Sequence, residues 1–173
     1  RVVLVSDEDT LNNYFEKSIE PGFAENIIKI NEVMFNPSDG NPEWVELVNA
    51  SSDSINIKNW FISDVLSTPT KNIITSDDVF IDPNEIFIIA KDTSFNSTHP
   101  YANYKVFYTN FGSLGNTSDG VVIYDFRNGI IDSLFYESKW GGKKGYSLER
   151  ISLNEQTNDN TNWVTSLDVN GST

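Results

Sequence analysis

From Ile27 onward the chain is a series of short apolar runs, each closed by a cluster of Asn, Asp, Gly, Pro or Ser. Strands and helical segments do not alternate, so a parallel α/β sheet is excluded. This punctuation builds β-sandwiches or barrels. Ile28 and Ile30 alternate, and then the apolar set moves to Val33 and Phe35. That one-residue slip predicts a bulge near Asn31-Glu32. In the next run Trp44, Glu46 and Val48 share one face of a strand, while Val45 and Leu47 share the other. Ile55 to Ile62, Val79 to Ile81 and Tyr104 to Tyr108 read as further strands. Residues 86–90 are apolar on both faces and predict a central, buried strand. Residues 91–103 read as a polar loop. Arg127-Asn128-Gly129 joins two apolar runs as a hairpin. Tyr146 to Ile151 is the last clear strand, and Asn158 to Trp163 is a polar turn closed by an aromatic. Roughly eight to ten short strands follow from this pattern.

Residues 1–26 have a different texture. Ser6-Asp7-Glu8-Asp9 resembles a helix start, and Leu11, Tyr14, Phe15 and Ile19 lie at helical spacing. A short amphipathic helix is expected there, ended by Pro21-Gly22. Three parts are therefore expected: an extension over 1–26, a β domain over 27–165, and a linker over 166–173. The chain begins at Arg1 without a methionine and is read as a fragment of a longer precursor.

Composition narrows the chemistry. There are no cysteines, which excludes disulfides, thiol nucleophiles and thiolate metal sites. His99 is the one histidine, so multi-histidine metal sites are excluded too. No Gly-x-Ser-x-Gly elbow accompanies it, and a surface histidine in a polar loop is expected. Twelve basic residues against 25 acidic ones give a net charge of −13. A surface of that sign opposes phosphate backbones and anionic membranes, so nucleic acid is not expected as a partner. No apolar stretch approaches the ~20 residues that span a bilayer.

Several runs, taken in order, carry a family resemblance. Ile28-Lys29-Ile30-Asn31-Glu32-Val33-Met34-Phe35-Asn36-Pro37 is followed by Glu43-Trp44-Val45-Glu46-Leu47-Val48-Asn49. Ile55-Asn56-Ile57-Lys58-Asn59-Trp60-Phe61-Ile62-Ser63-Asp64 comes next, with Asn59 where the family has glycine. Asn116 to Asp125, Ile131-Asp132-Ser133, Tyr146 to Arg150 and Asn162-Trp163 complete the series. Together they resemble the lamin tail domain over about residues 27–165. The resemblance implies an immunoglobulin-like sandwich. It is closer to the bacterial and archaeal branch, whose members are typically exported, multidomain proteins. It implies an extracellular or cell-surface location and a binding, adhesion or spacer role. It brings no catalytic residues.

Four candidate features remain. Glu46 lies in phase with apolar residues and needs a partner; Arg150, in the last strand, is expected to form an ion pair with it. Trp140 beside Gly141-Gly142, with Tyr101 and Tyr104, offers exposed aromatic faces of the kind that stack on sugars. Trp44 and Trp60 sit in apolar strands and belong to the core. Asp77, Asp78, Asp82 and Asp159 supply oxygens of the kind calcium takes, though without EF-hand spacing. The expected function is a non-catalytic module that meets a protein or cell-envelope component. The alternative is a carbohydrate- or calcium-binding accessory module of a secreted hydrolase.

Overall fold

The computed structural model describes residues 21–65, 70–100 and 103–172. The helix expected near residues 8–19 and the aromatic ring of Tyr101 lie outside the described residues. Among the described residues twelve strands occur, beginning with β1 (Ile28–Met34), β2 (Trp44–Asn49), β3 (Ile55–Asn56), β4 (Phe61–Asp64), β5 (Asn72–Ile73) and β6 (Phe80–Ile81). They continue as β7 (Ile86–Ala90), β8 (Lys105–Tyr108), β9 (Ser118–Tyr124), β10 (Ile130–Glu137), β11 (Leu148–Arg150) and β12 (Trp163–Thr165). A helical turn, α1 (Phe95–Thr98), interrupts the stretch expected to be loop.

The larger sheet has the order β12-β11-β1-β2-β7-β8, and the smaller has β10-β9-β4-β5. A short β3-β6 ribbon stands apart from both. Inward residues of the two sheets form one core, including Ile30, Val45, Leu47, Phe87 and Ile89 from the first and Ile62, Val121, Ile123 and Leu134 from the second. This is the all-β, immunoglobulin-like sandwich that the sequence led us to expect. Most pairs are antiparallel, but β8 runs parallel to β7.

Local chemistry explains the turns. The register of β1 against β2 shifts between Ile30 and Glu32, where the apolar pattern slips. Asn128 closes the β9–β10 hairpin at φ 67, and the Asp125 carboxylate accepts the Arg127 and Gly129 amides. Asn59 adopts φ 58, a left-handed conformation that asparagine tolerates and glycine adopts freely. Its place in a glycine position of the family pattern follows from that angle.

Residues 166–172, expected to begin a linker, lie against the larger sheet. Ser166 N–H donates to the Ser147 carbonyl, Asn170 N–H donates to the Gly145 carbonyl, and Ser172 bonds Glu32. Gly171, at φ +103, is packed so closely that an added Cβ would stand 2.4 Å from the Trp44 ring.

Candidate functional site

The expected ion pair between Glu46 and Arg150 does not form, and strand phase is the reason. Arg150 shares the inward face of β11 with Leu148, whereas Glu46 shares the outward face of β2 with Trp44. Inside the sandwich Arg150 donates to the Ile30 carbonyl at 2.8 Å and to Thr157 Oγ1 at 2.6 Å. Its guanidinium stands 3.9 Å from Asp132 Oδ2. Asp132 in turn accepts from Ile30 N–H and from Thr157 Oγ1, each at 2.8 Å. Burial pushes the Asp132 carboxyl up, and these hydrogen bonds and Arg150 oppose it. Trp163 lies over the guanidinium and closes that end of the core, its indole donating to the Thr157 carbonyl.

Glu46 lies on the outward face instead. Reading across the register, Val164, Glu149, Glu32, Glu46, Ile88 and Val106 form one row over six adjacent strands. Burial, with Glu32 and Glu149 nearby, pushes Glu46 up to about 7 against a single hydrogen bond from Asn31 Nδ2. Burial raises Glu32 as well, opposed by hydrogen bonds from Ser147 and Ser172. Beside the row Met34, Trp44, Ile88, Ala90 and Phe95 form a second apolar cluster. His99, expected to be a surface histidine, stacks on Phe95 at 4.2 Å and meets Trp44 edge-on. Its loop is polar in composition, so only the fold reveals this partial burial. Desolvation holds the imidazole below its usual range.

The acidic turns do not converge. Asp78 is held by Lys58 and Asn56, Asp82 accepts from Ser54 Oγ, and Asp159 caps its own turn through Thr161. Asp77 is exposed, and only its backbone N–H is engaged, by Thr75 Oγ1. Among the described residues no three imidazole or carboxylate groups come together as a cation site.

The aromatic expectations divide. Tyr104 is exposed at the start of β8, away from any aromatic partner ring among the described residues. Trp140 packs one side against the core and the other into a groove of about 460 Å³ on the outward face of the smaller sheet. That groove is lined by Val65, Phe135, Tyr136 and Trp140, with Ser118, Asp119, Glu137 and Asn158 around it. Phe135 stands opposite Gly120 in the register and is 51% exposed, although its neighbours Leu134 and Tyr136 are buried. Gly120 has no room for a side chain, because Val65 and the Leu134 carbonyl stand where its Cβ would be. The sequence reading missed Phe135, because simple alternation already accounts for an outward residue on β10; the Gly120 opposite was the available signal.

Asn158 also guards the free edge of β10. Its Oδ1 accepts the Phe135 amide and its Nδ2 donates to the Ser133 carbonyl, each at 2.8 Å. One side chain thus takes the hydrogen bonds that an added strand would use.

The structure is thus a β-sandwich module of immunoglobulin-like form with a shallow aromatic groove on the face of its smaller sheet. The chain matches the Lamin Tail Domain family over residues 21–138, and it belongs to that family. The match ends before β11 and β12, which complete the larger sheet. No curated protein matches the chain.

Proposed function

We propose that the domain is a binding module of an exported or cell-surface protein, and that it engages glycan through the groove beside Phe135. The observation that carries this reading is the half-exposed Phe135 ring opposite Gly120. An aromatic face offers apolar contact with little conformational entropy to lose. The surrounding Ser118, Asp119, Glu137 and Asn158 supply acceptors and donors for hydroxyl groups. Few convergent polar groups around an apolar floor is the general form of a ligand site. The lamin-tail resemblance to exported proteins supports the location.

The test is co-sedimentation of the purified domain with insoluble cell-envelope polysaccharide, with and without a chelator. Phe135→Ala is expected to weaken binding by about tenfold, the effect of losing one good aromatic contact. Chelator is expected to leave binding unchanged, since the carboxylates of the acidic turns do not converge among the described residues. Equal binding by wild type and Phe135→Ala would move the contact face elsewhere.

A further inference from the structure

The outward face of the larger sheet is built differently from the groove. Glu149, Glu32 and Glu46 occupy adjacent strands in one register row, with Glu32 and Glu46 almost fully buried. The row continues as Val164 at one end and as Ile88 and Val106 at the other, so it contains no cation. Lys29, on the same strand as Glu32, sends its ammonium away to the Leu153 carbonyl. Asn31 supplies Glu46 with a neutral donor, and His99 lies against Trp44 with desolvation disfavouring its charged form. The covering segment carries one charged residue, the exposed Asp168, of the same sign as the row. Like charges directly opposite on neighbouring strands repel.

Over Glu32 in this row lie Gly171 and Ser172. Ser172 donates to both oxygens of Glu32, by its amide at 2.9 Å and its hydroxyl at 2.7 Å. Gly171 rests on the Trp44 ring. Asn170 is tied to Gly145 and to Asn41. None of these contacts is a strand ladder, so the cover can lift without breaking either sheet.

We propose that residues 166–172 are a pH-dependent strap, closed while Glu32 and Glu46 share one proton and lifted when both carry charge. In the closed state the proton stays on Glu46 and the Glu32 carboxylate holds Ser172. Losing that proton puts a second charge beside the first in a dry row. Opening uncovers Trp44, and with it the Met34–Phe95 cluster becomes an apolar surface.

Amide hydrogen exchange at Gly171 and Ser172, corrected for intrinsic base catalysis, reads the strap directly in the full chain. Protection at both is expected to fall by about tenfold between about pH 6 and about pH 8.5, as for one linked proton. Glu46→Gln is expected to keep protection constant over that range. Ser172→Ala is expected to lower the protection of Gly171 at about pH 6 to the wild-type level of about pH 8.5. Constant protection in the wild type overturns the proposal, and needs no variant to be read. A pH-dependent loss that survives in Glu46→Gln overturns it too, as does unchanged Gly171 protection in Ser172→Ala.

Discussion

Asp132 and Glu46 are buried to nearly the same degree, yet their surroundings are opposite. Asp132 faces inward, receives three hydrogen bonds and has a guanidinium 3.9 Å away. Glu46 faces outward under a thin cover, receives one hydrogen bond from Asn31, and has two further glutamates in its row. The difference shows that burial alone does not make a carboxyl structural. A buried acid with a buried base ties two sheets together, here joining β10, β11 and β1. A buried acid among acids is a place where the fold holds a proton, and such a group answers to pH.

Breaking the first region has the largest expected effect. Arg150→Met leaves Asp132 without its cation and strips donors from the Ile30 carbonyl and Thr157. Loss of one partner from a buried pair costs about 3–5 kcal/mol. Urea unfolding should show that loss as a lower midpoint with an unchanged slope.

Neutralising the second region should do the reverse. Glu46 sits at about 7 in the fold against an ordinary 4.5. A carboxyl raised by folding favours the folded state fully below the lower value, and that contribution is lost as pH rises through the higher one. Wild-type stability should therefore decline between about pH 4.5 and pH 7.5 on account of this group. Glu46→Gln should flatten that part of the curve and gain about 2–3 kcal/mol at pH 8, measured by urea unfolding across pH.

A smaller effect tests whether Asn158 acts as an edge guard. Asn158→Ala should cost about 1 kcal/mol, the worth of its two hydrogen bonds at a solvent boundary. It should also make the domain associate at high concentration, read by light scattering, because the β10 edge is then free to pair. A monomeric Asn158→Ala protein would leave Asn158 as a loop anchor only.

Much of the fold was legible because alternation fixes which residues share a face. Trp44 with Glu46, Val45 with Leu47, the slip at Asn31-Glu32 and the Asn128-Gly129 hairpin all follow from spacing within one strand. What spacing cannot give is which strands are neighbours. Glu46 and Glu149 lie 14 and 117 residues from Glu32, and only the β11-β1-β2 order brings the three into a row. The same gap misled the ion-pair expectation: Arg150 was set against an outward residue although its own alternation with Leu148 points it inward. β12 escaped notice because three residues after a polar turn are too few to show a period. The partial burial of His99 depends on α1 folding over Trp44, a contact between segments about 55 residues apart that no local pattern signals.

The position of β11 also bears on how the chain is made. β1, the first strand among the described residues, has β2 on one side and β11 on the other, with Val33 opposite Leu148. A nascent chain emerging from the ribosome therefore exposes one edge of β1 until more than a hundred further residues have followed it. Pairings this distant in sequence close slowly, and an unpaired edge is a hazard while it waits. Stalling of translation before Leu148 is therefore the point at which misassembly is expected to begin.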